Sequence, residues 1–404
     1  MTAPPAPGTP HAGRIVVRGV NWLGDAVMST PALQRLREAL PAAHITLLTH
    51  EKLADLWHLH PSLDRVMTFA RDEHPWSVAR RLRAERFETA LVLPNSPRSA
   101  LEAWLARIPQ RVGYARPWCS WLLTKPIGPR PGKIQMPKRS VSEVKRLVRV
   151  PNPGPSLAGP RPQNPGAHQV RDYLYLAAML GANPEPAPPS LEITAAELRE
   201  AEEAVFRTAQ LVGNASRQHP VLGNAGERPA LLGLNPGAEY GPAKRWPGEN
   251  FAAVAREVSR KLGRCVWLVF GSQGDWQSCN DIARLAGDCV VNMAGQTRLR
   301  QLMALLKLCR VLLTNDTGPM HVAGALGTPV VVPFGSTSPE LTGPGLPGDS
   351  RNRLLTSPVP CAPCFRRECP IDFRCMTAIR PQQVSEAVLQ VLSRPTSSHA
   401  PLAR

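Results

Sequence analysis

Apolar and polar positions alternate in blocks along this chain, and the block lengths predict strands and helices in turn. Short apolar runs at residues 14–18, 44–49, 65–69 and 89–93 read as strands. Longer amphipathic stretches separate them. Leu33, Leu36 and Leu40 stand at i, i+3 and i+7, one apolar helical face, and residues 76–87 and 99–108 read as further helices. Helices over 168–180 and 198–212 follow. The alternation restarts at Ala230, with strands expected at 231–234, 265–270, 289–291, 311–313 and 330–334. One helix between them carries Phe251, Val254, Val258 and Leu262 on one face; another is marked by Leu299, Leu302 and Leu306, and a last one closes the chain over 382–392. Strands that alternate with helices imply parallel sheets covered on both faces, an α/β class built as two Rossmann-like units. No internal repeat of solenoid period is present.

The interruptions of this pattern set the expected domain limits. Residues 1–13 read as a disordered tail and 14–181 as the first α/β domain. Residues 126–166 within it, rich in Pro, Arg and Lys, read as a basic insertion without a core of its own. Residues 182–229 read as a linker and connecting helix, 230–380 as the second α/β domain, and 381–404 as a closing helix and tail. A length of 404 residues suits two or three such domains.

Charge adds a partner class. The net charge is +17, which suits nucleic acid, an anionic membrane surface or a phosphorylated glycolipid, and equally a surface that is simply Arg-rich. No zinc finger, RNA-recognition sequence or heptad-bearing basic region supports nucleic acid, so no nucleic-acid partner is expected. The N-terminal stretch has no apolar core of a signal peptide, and no run approaches a membrane span, so a cytoplasmic protein, at most peripheral to a membrane, is expected. The nine cysteines then read as thiols, or as metal ligands where clustered.

The chemistry concentrates at strand ends. In NDTGPMHVAGALGTPVVVPFG, residues 315–335, a strand ends in Asp316-Thr317-Gly318 and turns into a helix. The first N–H groups of such a helix suit an anion such as a diphosphate, and Asp316 and His321 share the strand end where open α/β sheets bind ligands. This reads as a nucleotide-sugar site, with Asp316 on sugar hydroxyls and His321 on phosphate or sugar, or else a buried hydrogen-bonded histidine. Lys244, with Arg245 beside it, lies past the first strand of the second unit. It can offset charge on a departing diphosphate, or be a solvated surface lysine. Gly237 suits close approach to phosphate. Asp275, with Gln273 as its neighbour, follows the next strand, where a carboxylate can accept from ribose hydroxyls. Asn95, Ser96 and Arg98 end a strand of the first unit and suit an acceptor; Ser96 equally suits a helix cap. Asp25 stands where a strand–loop opens into a helix, a position that also suits a cap. Cys361, Cys364, Cys369 and Cys375 fall within fifteen residues, a set able to hold structural zinc or an iron–sulfur cluster, although the spacing matches neither common pattern.

Five strings, in order, resemble the ADP-heptose:lipopolysaccharide heptosyltransferases of glycosyltransferase family 9, and the heptosyltransferase II branch more closely. They are VNWLGDAVMSTPALQRLR, LPNSPRSALEAWLARIPQRVGY, LNPGAEYGPAKRWP, NMAGQTRLRQLMALL and the 315–335 segment; the late cysteines accompany them. The resemblance covers about residues 14–125 and 165–392. It implies the GT-B fold, two Rossmann-like domains facing a central cleft, and inverting transfer of heptose from ADP-L-glycero-D-manno-heptose to the inner core of lipopolysaccharide. It implies Asp25 of the LGD string as general base, and Met293, Ala294 and Gly295 lining the adenine pocket. It implies a lipid A–core acceptor at the inner face of the inner membrane, no catalytic metal and no firm cofactor. The alternatives are another nucleotide-sugar transferase or an epimerase of the same fold, or a nucleic-acid binder using the basic insertion. A dinucleotide-binding G-x-G-x-x-G and a G-x-x-x-x-G-K-[ST] phosphate loop are both absent, which disfavours a dehydrogenase and an ATPase.

Overall fold

The structure is a computed structural model and describes residues 13–134, 137–149, 165–215 and 229–394. All but the last residue of the expected tail 1–13 lies outside these, as do 150–164 of the basic segment, the polar loop 216–228 and residues 395–404. Two compact units divide the rest. The first holds the described residues up to 134, the stretch 165–192 and residues 345–347; the second holds 137–149 and the remainder.

Each unit is built on a six-stranded sheet, parallel throughout. The first uses β1 (Arg14–Arg18), β2 (His44–His50), β3 (Arg65–Phe69), β4 (Thr89–Val92), β5 (Gln110–Tyr114) and β6 (Lys125–Ile127) in the order β3-β2-β1-β4-β5-β6. The second uses β7 (Ala230–Asn235), β8 (Cys265–Val269), β9 (Val290–Asn292), β10 (Leu312–Thr314), β11 (Val330–Phe334) and β12 (Arg353–Thr356), in the order β12-β11-β10-β7-β8-β9. Both sheets therefore start in the middle and wind outward both ways. The direction of winding reverses between β1 and β4, and again between β7 and β10. At such a point the connections leave for opposite faces and open a crevice at the carboxyl ends of the strands.

Burial explains the strands that the pattern reveals. Every residue of β4, β8 and β11 is buried, as expected for strands covered on both faces by helices. The strands missing from the sequence reading are β5, β6 and β12; β6 and β12 are short strands at the sheet edges, and β5, between β4 and β6, opens with the polar pair Gln110-Arg111. Pro126 in β6 is tolerated because β6 is an edge strand. The helix Leu23–Ala39 buries Leu33 and Leu36 and packs on the helix Val170–Ala178. In the second unit Phe251, Val254 and Val258 are fully buried beneath Trp246 and Trp267.

One helix arises inside the basic segment itself. The helix Val141–Arg149 places Val144 in the core of the second unit, together with Cys361, Cys364 and Cys375. The Arg139 N–H donates to the Cys364 carbonyl at 3.0 Å, its guanidinium to the Pro360 carbonyl at 2.7 Å, and Arg366 donates back to the Arg139 carbonyl at 2.9 Å. A single buried valine is too weak a period to read from the sequence.

Candidate active site

In the first unit Asp25 follows the end of β1. It is the third residue of the helix Leu23–Ala39, whose cap is Trp22, so the capping role suggested by its sequence position is not the one it has. Its side chain is instead held from the helix Val170–Ala178 and the residue before it. The Tyr173 hydroxyl donates to Asp25 Oδ1 at 2.9 Å, and the Gln169 amide donates to the same oxygen. Gln169 also donates to the Tyr173 hydroxyl at 2.9 Å, closing a triangle. Burial, and then the Asp25 charge, push the Tyr173 phenol well above its ordinary range, so Tyr173 stays a neutral donor at any working pH. Two donors on one oxygen fix the carboxylate's orientation while Asp25 itself stays half-buried.

The strand before it is equally constrained. Arg18 ends β1 and is buried, with its Nε on Glu102 Oε2 at 2.8 Å and its Nη1 on the Gly19 carbonyl at 2.7 Å. Its guanidinium lies 4.1 Å from the centre of the Phe69 ring. Arg98 donates to the other Glu102 oxygen at 2.8 Å and to the Arg71 and Glu73 carbonyls. Glu102 is fully buried, so these two cations compensate it.

In the second unit the strand ends crowd together at the reversal between β7 and β10. Lys244 donates to Asp316 Oδ2 at 2.7 Å and to the Asp316 carbonyl at 3.3 Å, and the Thr337 hydroxyl donates to the same carboxylate oxygen at 2.6 Å. Lys244 Nζ lies 4.9 Å from the Tyr240 ring centre, and the Arg367 guanidinium lies 5.1 Å from it. The turn is anchored by Asn315, which accepts from the Trp246 N–H at 3.0 Å and donates to the Pro236 carbonyl at 2.7 Å. Gly241 has φ +154°, and a Cβ there would lie 2.5 Å from the Arg367 carbonyl, so only glycine closes this turn.

One strand further out, Asp275 accepts from the Ser272 N–H at 3.1 Å and its hydroxyl at 2.6 Å, and meets Arg245 at 3.5 Å. Gly237 faces it: a Cβ there would lie 3.1 Å from Asp275 Oδ2. Gly295 turns with φ +74° against Gln273. Met293 and Ala294 are buried beside it. The helix Gly318–Ala325 begins after Thr317, which makes no side-chain cap, with Pro319 in its first turn; His321 is buried and has a partner.

The model of glycosyltransferase family 9, the heptosyltransferases, matches residues 160–373, just over half of the 404 residues. The chain belongs to this family. Relatives agree along its length. It is 28% identical over 348 residues to the lipopolysaccharide heptosyltransferase 2 of Salmonella typhimurium, covering 82% of this chain and 85% of that one. It is 29% identical over 343 residues to the lipooligosaccharide heptosyltransferase 2 of Haemophilus ducreyi, covering 82% and 86%. Among solved structures, the E. coli ADP-heptose LPS heptosyltransferase II aligns with a TM-score of 0.68 at 25% identity, over 94% of this chain and 98% of that one. The family 9 glycosyl transferase of Veillonella parvula aligns at 0.72 and 23% identity, over 94% and 97%, and supports the fold. The fold is GT-B, and the transferase reading stands over the epimerase one.

Within this glycosyltransferase the structure gathers most of the donor candidates named from sequence. Lys244, Asp316, Thr317 and Gly318 form one group, and Arg245, Asp275 and Gly237 continue it toward Met293 and Gly295. Of the acceptor candidates, Asn95 is exposed at the end of β4, whereas Ser96 caps the helix Pro97–Leu105 by accepting from the Ser99 N–H at 3.3 Å. Arg98 already has a structural partner in Glu102. Sequence reasoning missed Gln169, Tyr173, Thr337 and Tyr240. The first two lie 144 and 148 residues from Asp25, and no local signal joins them. The four late cysteines are free thiols, and burial together with the neighbouring cysteines pushes Cys375 up to about 12. Among the described residues no group of three or more His, Cys, Asp or Glu side chains is arranged to hold a metal ion, so zinc or an iron–sulfur cluster gains no support from the geometry.

Proposed function

We propose that this glycosyltransferase moves heptose from ADP-L-glycero-D-manno-heptose to the inner core of a lipopolysaccharide, in the manner of a heptosyltransferase II. The observation that carries the reading is the Lys244–Asp316–Thr337 group, beside a helix start at the strand reversal of the second unit. It combines a cation for phosphate, a carboxylate for sugar hydroxyls and the N-terminal end of a helix, with its positive dipole, in one place. The names of the relatives supply the sugar and the acceptor class.

In this reading the second unit holds the nucleotide. Lys244 and the Thr317–Gly318 helix start take the diphosphate, Asp275 the ribose, Met293 and Gly295 the adenine, and Asp316 and His321 the sugar. The first unit takes the acceptor, with Asn95 as its contact and Asp25 as base. The acceptor oxygen forms its bond to the anomeric carbon as the bond to the diphosphate oxygen breaks, so configuration inverts. Asp25 accepts the hydroxyl proton late in that step, when the hydroxyl has become acidic, and its neutral partner Tyr173, on Oδ1, keeps the carboxylate in place. Lys244 stabilises charge on the leaving ADP. No cofactor is required for this displacement. A lipid-linked acceptor places the protein on the inner face of the inner membrane; among the described residues no helix is long and apolar enough to cross one.

Incubation with ADP-heptose and heptose-truncated core lipopolysaccharide, followed by mass measurement, tests the proposal. A product heavier by one heptosyl residue is expected. ADP-heptose consumed equally with and without acceptor, and an unchanged acceptor mass, would refute it.

A further inference from the structure

The end of the helix Pro97–Leu105 and the turn after β5 present three tryptophans to solvent. Trp104 is 42% exposed, Trp118 57% and Trp121 66%. Indoles are large and apolar, and a folded chain ordinarily covers most of their surface. Here the fold fixes them outward. Cys119, Leu122 and Leu123, interleaved with the tryptophans, are buried in the core of the first unit. The turn is closed by the N–H groups of Cys119 and Ser120, which both donate to the Arg116 carbonyl at 3.1 and 3.0 Å. The Ser120 hydroxyl donates to that carbonyl at 2.7 Å and accepts from the Arg116 N–H at 2.8 Å. Trp104 and Trp121 meet edge to face with ring centres 5.9 Å apart. The rings are thus displayed on a rigid platform, and no catalytic assignment uses them.

Their surroundings carry one sign of charge. From residue 103 to residue 134 the chain has six Lys or Arg and no Asp or Glu. Arg130 and Lys133 are matched by Asp172. Arg111 is spent on the Ile108 and Leu122 carbonyls and Lys125 on the Met179 carbonyl. Arg107 is exposed beyond Trp104, and Arg116 sits at the base of the tryptophan turn. Indoles with an N–H handle, flanked by cations, match the chemistry of a bilayer headgroup layer, where aromatic rings settle among the glycerol and acyl boundaries and cations meet lipid phosphate.

We propose that Trp104, Trp118 and Trp121, with Arg107 and Arg116, form a docking surface for an anionic bilayer. The proposal rests on the reading of a lipid-linked acceptor, and deepens it by naming the part of the first unit that meets the lipid. An acidic protein partner would use some of the same chemistry; three exposed indoles beside Arg107 and Arg116, on a stretch from 103 to 134 that contains no Asp or Glu, favour a surface of phosphates.

Vesicle co-sedimentation of the full chain, read together with tryptophan emission, tests it. Binding to vesicles of phosphatidylglycerol and phosphatidylcholine is expected to be at least about tenfold tighter than to phosphatidylcholine alone, to weaken with salt, and to shift emission to the blue. Trp118→Ser with Trp121→Ser should lower partitioning about tenfold or more. Arg107→Glu with Arg116→Glu should abolish the preference for phosphatidylglycerol. Arg107, Trp118 and Trp121 are exposed, and Arg116 is half-buried and enters the turn's hydrogen bonds through its backbone, so melting temperatures should stay close to the parent's and ADP affinity at the parent's value. Heptose transfer to a de-acylated, soluble core acceptor should also be unchanged in both variants. Absence of that transfer in the parent counts against the proposed activity and leaves the vesicle result standing. A parent indifferent to phosphatidylglycerol, or variants that bind vesicles as the parent does, overturns the docking surface.

Discussion

Lys244→Met separates the two things that Lys244 is placed to do. Its ammonium lies 2.7 Å from Asp316 Oδ2, with side chains only 13% and 4% exposed. Breaking a buried pair by removing one partner costs about 3–5 kcal/mol, because the other charge is left behind. The Thr337 hydroxyl stays on Asp316 and methionine keeps most of the apolar stem, so the lower end, about 3 kcal/mol, is expected. For a unit of this size that is a fall in Tm of about 6–12 °C. The same ammonium, if it meets the diphosphate, supplies a charge-assisted hydrogen bond worth about 1.5–3 kcal/mol, so the ADP Kd should rise about 10- to 150-fold. Instability alone could blur that reading. The double variant Lys244→Met, Asp316→Leu removes both charges and should recover most of the stability without recovering ADP affinity. Thermal melts and calorimetry with ADP alone, which lacks the sugar assigned to Asp316, measure both quantities. An ADP Kd within about twofold of the parent's in the well-folded double variant would show that Lys244 only props Asp316, and the diphosphate assignment would fall.

Asp25→Asn keeps an oxygen for Tyr173 and Gln169, so ADP affinity should hold while turnover drops about 10²- to 10⁴-fold; near-normal single-turnover rates would remove Asp25 from the base role. Asn95→Ala should raise the acceptor KM with no change in Tm, whereas Arg98→Ala should lower Tm by loosening buried Glu102; the reverse pattern would exchange their roles. Glu197 is held at about 2, below its ordinary 4.5, chiefly by its hydrogen bonds with Arg300. A depressed carboxyl stabilises above pH 4.5 and loses that contribution as pH falls toward 2. Since the side chain is partly exposed, screening limits the effect to about 1 kcal/mol. Urea unfolding of Glu197→Gln should therefore show a deficit at pH 7 that shrinks at pH 3, and a deficit independent of pH would contradict the assignment. Cys361→Ser with Cys364→Ser should lower Tm more than it lowers turnover of the folded fraction, since both thiols are buried against the helix Val141–Arg149; full stability with abolished turnover would bring the loop into the active site.

The local pattern was enough for the inner strands and the strand-end chemistry. Strands β1 and β11 lie where the apolar runs begin and end, because a strand covered on both faces must be apolar almost throughout. Asp316-Thr317-Gly318 and Lys244 were legible as site candidates because strand ends in α/β folds announce themselves by glycine, proline and polar residues after an apolar run. Edge strands are half-solvated and short, so β6 and β12 left no period to read, and β5, though paired on both sides, opens with Gln110-Arg111 and holds Gly113. The partners of the candidate residues came only from the tertiary structure. Tyr173 and Gln169 reach Asp25 because the helices Leu23–Ala39 and Val170–Ala178 pack side by side across a long stretch of intervening sequence. Arg98, an acceptor candidate by position, proves to be half of the compensation for Glu102. Periodicity reports which face of an element is buried and not what it is buried against, so sequence could name charged groups at strand ends while only the packed chain decided which of them neutralise one another.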